Sequence, residues 1–187
     1  MIKMPNDWRD KAFTGGSQRL PAGGYVCKVT STEIRLSRTG NEGLIVNFDI
    51  AEGEYKDYFA NNPNIAWIGS MWQNTPNGDP RRDGFFYGML TAFEESNPGF
   101  KIQVDAQGNL VETCLEGKYI GVVFRDEEEE YNGSTFFRAH PYQFRSADKV
   151  RKGDFKAPQP KTLTKPEPQQ LTIPEGFEQI SDDDIPF

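Results

Sequence analysis

The sequence predicts a mainly β domain of about five strands, interrupted by one helix and followed by a polar tail. Strand-forming residues alternate with polar ones over several short segments separated by Gly, Asn and Pro. Only residues 85–96 repeat their apolar side chains at helical spacing. After Phe155 the composition changes to Pro, Gln, Lys, Thr and Glu. Such a composition cannot bury enough apolar surface to fold.

Five segments have the composition of strands, with β-branched and aromatic residues bounded by turn residues. They are residues 25–36, 44–50, 55–59, 118–125 and 134–145. The second alternates apolar and polar residues, as a strand with one buried face does. The fourth is almost continuously apolar and predicts a central strand. The connections are predicted to include a turn at 39–43, a long irregular loop at 60–84 and an acidic loop at 126–130.

The single helix is expected over residues 85–96, with its apolar side chains in the core. These side chains are Phe85, Phe86, Met89, Leu90 and Phe93. Asp83 is the expected N-cap, and Asn97-Pro98-Gly99 ends the helix. Five strands with one helix before the last pair is the plan of the OB-fold, a small barrel. A small β-sandwich and an SH3-like barrel share the pattern and remain alternatives.

The charge is acidic throughout, with a formal net charge of −7 for 187 residues. We expect a folded domain over residues 1–155 and a disordered linker and tip over 156–187. The tail holds three lysines and six acidic residues, and the body holds 18 basic and 22 acidic residues. Because the body is acidic too, DNA binding would require a local basic groove rather than an overall positive field.

Several other classes of site are not expected. One histidine, His140, and two cysteines, Cys27 and Cys114, are too few for a usual structural zinc site. No cofactor is expected, and without a P-loop the chain is not a typical helicase or recombinase ATPase. No apolar run follows Met1, and no stretch approaches the roughly 20 apolar residues of a membrane span. We therefore expect a cytoplasmic protein.

The last seven residues of the sequence combine three acids with an apolar end. They are Ser181, Asp182, Asp183, Asp184, Ile185, Pro186 and Phe187. A partner protein could bind this peptide by burying Ile185 and Phe187 in an apolar pocket ringed by Arg or Lys. By composition alone, a random acidic tail is an equal alternative. The ending is similar to the C-terminal tip of bacterial-type single-stranded DNA-binding proteins, a run of acids followed by Ile-Pro-Phe.

Four segments of mostly turn and core residues carry a second resemblance. They are residues 22–25 (AGGY), 48–55 (FDIAEGEY), 95–100 (ESNPGF) and 153–156 (GDFK). They resemble a family of small phage early proteins that are regarded as single-stranded DNA-binding proteins. The two resemblances together imply an OB-like protein that protects single-stranded DNA during phage replication and recombination in a bacterial host. They also imply that the tip recruits replication, recombination or repair proteins; self-association is left open.

A DNA strand needs aromatic faces for its bases and cations for its phosphates. The candidate residues of these two kinds are Arg35, Arg38, Trp67, Trp72, Arg81, Arg82, Phe136 and Arg138. Phe136, Arg138 and His140 fall on one face of the last strand by alternation. The ordinary alternative is that the aromatic residues anchor loops to the core and the arginines are only solvated.

Two other functions are compatible with the sequence. Asp49, Glu54 and Lys56 faintly resemble the metal-binding core of a restriction-type nuclease, in which carboxylates hold Mg²⁺ and a lysine assists attack by water. The spacing is short and common by chance, so we do not expect an enzyme. A recombination mediator that acts mainly through protein binding at its tip is the second alternative.

Overall fold

The computed structural model describes residues 19–163. The expectations for the first 18 residues and for the tip lie outside the described residues. The strands are β1 (Gly23–Leu36), β2 (Glu42–Ile50), β3 (Ser70–Asn74), β4 (Tyr119–Tyr131) and β5 (Ser134–Arg145). The helices are α1 (Tyr58–Asn61), α2 (Pro80–Ser96) and α3 (Ala147–Arg151), with short 3₁₀ helices at Pro63–Ile68 and Glu112–Leu115.

All five strands form one antiparallel sheet in the order β3-β2-β1-β4-β5, which confirms the mainly β prediction. β1 is long enough to pair with two neighbours, with β2 over Cys27–Leu36 and with β4 over Gly23–Lys28. The sheet is not closed by hydrogen bonds, because β3 and β5 are its two edges and are not paired with each other. The described strands therefore leave an open seam between β3 and β5.

A chain of aromatic rings forms the core between the sheet and α2. The ring of Phe124 lies 6.2 Å from the rings of both Phe48 and Phe59. Phe48 also contacts Phe144, which in turn contacts Phe93 of α2. Burying such side chains stabilises the fold by about 1.5–3 kcal/mol each. α2 packs across β3, β4 and β5, so it covers one end of the seam.

α2 begins earlier than the sequence pattern predicts. Asp79, not Asp83, is the N-cap, and its carboxylate accepts the backbone N–H groups of Arg81 and Arg82. Pro80 occupies the first turn, where its missing N–H costs nothing. Asp83 instead accepts N–H groups from the preceding loop. The predicted end of the helix is confirmed, because α2 stops at Ser96.

Two other predictions of local structure are wrong. Residues 55–59 form a turn that leads into α1, and the third strand lies at 70–74, inside the expected loop. The acidic residues 126–130 belong to β4 rather than to a loop. Cross-strand partners and ion pairs offset the repulsion between these acids: Asp126 binds Arg19 at 2.6 Å, and Glu127 binds Arg125 at 2.6 Å.

The chain after α3 returns to the sheet. Lys161 donates its N–H to the carbonyl of Asp126, and its own carbonyl accepts the N–H of Glu128. Lys161 thus pairs with β4 in parallel at Glu127, beyond Phe124, where the pairing of β4 with β1 has ended. The segment that was expected to be a disordered linker, residues 156–187, is described only as far as Leu163, and Lys161 and Leu163 within it are bound to β4. No helix within residues 19–163 is long and apolar enough to cross a membrane.

Candidate nucleic-acid interface

The seam between the two sheet edges opens into a cleft of about 650 Å³. We call it the seam cleft. β3 and β5 form its two sides, and the first half of α2 lies against them. Its lining includes three partly exposed aromatic residues and two arginines, namely Trp72, Phe85, Tyr142, Arg81 and Arg145. It therefore combines the two kinds of group that a single strand of nucleic acid needs.

The aromatic residues come from three different elements. Trp72 on β3 is 36% exposed, Phe85 on α2 is 51% exposed, and Tyr142 on β5 is 48% exposed. The guanidinium of Arg125 lies 4.5 Å from the centroid of the Tyr142 ring. Three large aromatic side chains that remain exposed around one cleft offer faces on which bases can stack.

Trp72 is held in place by its neighbours. Its indole lies against Gly43 of β2, where a Cβ atom would come within 2.1 Å of the ring. Its Nε1–H donates to the side-chain oxygen of Asn74 at 2.9 Å. Because both the ring plane and the polar end of the indole are fixed, Trp72 presents a preformed surface to a ligand.

The two arginines of the seam cleft have no acidic partner among the residues that the structure describes. Neither the Arg81 nor the Arg145 side chain forms an ion pair or a hydrogen bond within residues 19–163. No aspartate or glutamate occurs among the described residues that line the seam cleft. Within residues 19–163, the acidic chain thus carries two arginines whose charge no ion pair offsets, although Asp79 lies beside Arg81 in the neighbouring groove. Phosphate groups require cations of this kind.

A second group of predicted residues meets beside β5, and we call it the Arg138 cluster. The Arg138 guanidinium lies 5.1 Å from the ring centroid of Phe136 and 6.0 Å from that of Trp67. Glu129 binds Arg138 at 2.9 Å and His140 at 2.6 Å. The predicted alignment of Phe136, Arg138 and His140 is supported by these contacts. However, Glu129 offsets the charge of Arg138.

Three other candidate arginines have different surroundings. Arg35 forms two hydrogen bonds with Glu33, which lower the pKa of the Glu33 carboxyl and raise the pKa of Arg35. Arg82 donates to the backbone carbonyls of Thr75 and Glu42, so it ties α2 to the sheet. Arg38 lies in the β1–β2 turn, exposed and without a side-chain partner in residues 19–163. None of the three lines the seam cleft.

Sequence reasoning missed three residues of the seam cleft. Phe85 was expected in the core, but α2 turns it outward while Phe86 is buried. Tyr142 is the extra residue of a β-bulge, because Val123 and Phe124 pair with residues 143 and 141. Pro141 was an available signal, since proline within a sheet marks an edge strand or a bulge. Arg145 had no comparable signal.

Asp49, one of the residues of the nuclease hypothesis, is bound to the backbone. Both oxygens of the Asp49 carboxylate accept backbone N–H groups, from Ile50, Phe59 and Ala60. Asp49 therefore anchors the start of α1. Among residues 19–163, no group of three or more His, Cys, Asp or Glu side chains is arranged to hold a metal ion.

No protein-family model matches the chain, and no curated protein matches it.

Proposed function

We propose that the protein binds single-stranded DNA with little sequence preference and recruits partner proteins through residues 182–187. The observation that carries this proposal is the seam cleft. Its exposed aromatic residues suit stacking, which tolerates any base, and its unpaired arginines suit phosphates. In a chain with a net charge of −7, a cleft whose described lining residues include no carboxylate is a surface on which a polyanion would meet little repulsion.

The strand order supports an OB-fold reading of the sheet. The order β3-β2-β1-β4-β5, with α2 between β3 and β4 along the chain, is the arrangement expected of this five-stranded, partly open barrel. OB-folds bind oligonucleotides on the face of their second and third strands. Trp72 lies on β3 with its ring over Gly43 of β2, so it occupies that face.

The sequence of the tip supports the second half of the proposal. Asp182, Asp183 and Asp184 would steer the peptide towards a basic patch on a partner, and Phe187 would fill an apolar pocket beside it. The similarity of this segment to the tips of single-stranded DNA-binding proteins suggests replication, recombination and repair proteins as partners. DNA binding and partner recruitment would then belong to separate parts of the chain.

Titration of a fluorescent oligo-dT with the full-length protein at several salt concentrations tests the proposal. We expect binding that is much tighter than to a duplex of the same length. We also expect binding to weaken as salt rises, with a slope of about −0.7 per phosphate contact in a log–log plot. Equal affinity for single strand and duplex, or no binding at low salt, would refute DNA binding. The second result would favour a mediator that acts through proteins alone.

A further inference from the structure

A second groove lies at the other end of α2, and nothing in the proposed function uses it. It has a volume of about 850 Å³ and is bounded by the segment that follows α2 and by the start of β4. We call it the Tyr119 groove. Its lining includes Asn97, Phe100, Lys101, Gln103, Lys118 and Tyr119. As in the seam cleft, no aspartate or glutamate is found among its described lining residues.

The Tyr119 groove also pairs cations with aromatic rings. The Lys118 ammonium lies 4.8 Å from the ring centroid of Phe100, and that of Lys28 lies 5.9 Å from the ring centroid of Tyr119. Neither lysine forms an ion pair with a residue in the range 19–163, whereas Lys101 is bound to Glu94. Tyr119 is 39% exposed. Lys118 in the lining and Lys28 beside Tyr119 therefore have no ion pair within residues 19–163 that would keep them from phosphates.

The Tyr119 groove is rigid where the helix meets the strand. The Asn97 side chain donates to the backbone carbonyls of Phe93 and Tyr119, and its oxygen accepts the N–H of Tyr119. These three bonds lock the end of α2 to the first residue of β4. A ligand would then meet a preformed surface, which reduces the entropic cost of binding.

We infer that the Tyr119 groove binds the continuation of the same DNA strand that occupies the seam cleft. This inference rests on the proposed function. Phe85 in the seam cleft and Asn97 in the Tyr119 groove lie twelve positions apart along α2 and its C-cap, about 18 Å at the helical rise. The groove is broad and flanked by free ammonium groups, which suits a phosphate backbone with stacked bases better than an apolar peptide.

The test compares two lengths of oligo-dT. A chain of about six nucleotides lies near the lower end of the site sizes known for one OB domain, and about twenty lies beyond the upper end. We expect the wild-type protein to bind the longer chain more tightly per protein. The double variant Lys28→Gln/Lys118→Gln should bind the short chain normally. It should lose about fivefold or more in affinity for the long chain, with a salt slope smaller by up to about 1.4.

Lys56→Gln is the control, because it removes one exposed lysine that lines neither surface. It should bind both lengths as the wild type does. Tyr119→Ala provides a second, uncharged variant, and the melting temperature of each variant shows that it is folded. The inference is overturned if the lysine variant binds the long chain normally, or if folded variants lose both lengths equally. Failure of the wild type to bind either length would refute the proposed function itself.

Discussion

Trp72 owes its position to a residue on the neighbouring strand. The indole covers Gly43, and any side chain at that position would collide with the ring at about 2 Å. A glycine inside a strand ordinarily weakens the strand, so its presence here often marks a close approach. In this protein the close approach is made by an aromatic ring that remains partly exposed. Gly43 is therefore expected to matter for binding although it would touch no DNA.

The substitution Trp72→Ala should reduce the affinity for single-stranded DNA by about 1–3 kcal/mol, the usual contribution of one stacked base. Gly43→Ala should reduce it as well, because the new Cβ displaces the ring. Fluorescence anisotropy with labelled oligo-dT measures both effects. Tyr131→Ala is the control, since Tyr131 is 70% exposed at the far end of the β4–β5 hairpin. If the folded Trp72→Ala protein binds as tightly as the wild type, Trp72 does not stack on a base.

The candidate arginines differ in whether an acidic side chain is bound to them. Arg81→Gln and Arg145→Gln should each weaken binding and reduce the salt slope by about 0.7, because both side chains line the seam cleft and have no ion pair within residues 19–163. Arg35→Gln should have a much smaller effect, because Glu33 already neutralises that cation. Titrations at several salt concentrations separate these outcomes. If all three variants lost the same affinity, the arginines would act through the overall electrostatic field of the protein and not through contacts in the seam cleft.

At the scale of elements, α2 carries two exposed glycines towards the seam cleft. Gly84 and Gly88 lie one turn apart and both line the cleft. A Cβ atom at either position would meet nothing within 4 Å. Glycine in a helix costs about 0.5–1 kcal/mol relative to alanine, and packing within the described protein does not explain it here. We expect these positions to leave room for the bound strand.

Alanine at Gly84 or Gly88 should therefore change stability and binding in opposite directions. Each substitution should raise the free energy of unfolding by about 0.5–1 kcal/mol, and with it the melting temperature by a few degrees. Each should also lower the affinity for oligo-dT. Thr91→Ala serves as the control on the same helix, outside the lining of the seam cleft; it should leave binding unchanged. Glycine variants that are more stable and bind as tightly as the wild type would show that the strand does not approach α2.

The elements that the sequence predicts well are those with local signals. The alternation in 44–50 and the apolar run in 118–125 both appear in strands, and the last strand matches its predicted bounds at Ser134–Arg145. β3 was missed because it is a five-residue edge strand within an Asn- and Pro-rich segment. Its formation depends on distant pairing, such as that of Trp72 with Ile45. Long-range pairing of this kind leaves no periodic trace in a short segment.

In the candidate site too, residue types could be predicted from the sequence, whereas their contacts with distant residues could not. Aromatic residues and arginines could be proposed from the sequence as the right chemical types. The sequence could not predict whether an arginine is paired with an acid, because Arg35 and Arg145 differ only in their neighbours in the fold. Phe85 could not be separated from Phe86 without the true start of α2 at Pro80. Partner groups, rather than residue type, would decide which candidates belong to the proposed interface.

At the scale of the whole molecule, the acids of β4 lie outside the seam cleft, although Asp79 borders it at the start of α2. Acids cluster on β4, where Arg19, Arg125 and Arg138 bind them. The chain continues along β4 through Lys161 before it reaches residues 164–187. Aspartates in the tip would compete weakly for any free basic groove when no strand is bound. The proposed function assigns separate roles to the body and the tip.

Deletion of Ser181 to Phe187 should leave the affinity for oligo-dT unchanged or slightly raised, most visibly at low salt where charges are least screened. The same deletion, and Phe187→Ala, should abolish capture of proteins that recognise such tips. Pull-down from a bacterial lysate compares full-length protein with both variants. A truncated protein that loses DNA binding but retains its partners would reverse the roles proposed for body and tip.

The central claim is that the single strand lies in the seam cleft. Photocrosslinking of the full-length protein to an oligo-dT that carries halogenated uracil tests it most directly, because crosslinks form only to side chains in contact with a base. Mass spectrometry then identifies the linked residues. We expect crosslinks at Trp72, Phe85 or Tyr142, and their loss when unlabelled oligo-dT competes. Competed crosslinks that fall only on residues outside the seam cleft would contradict the claim.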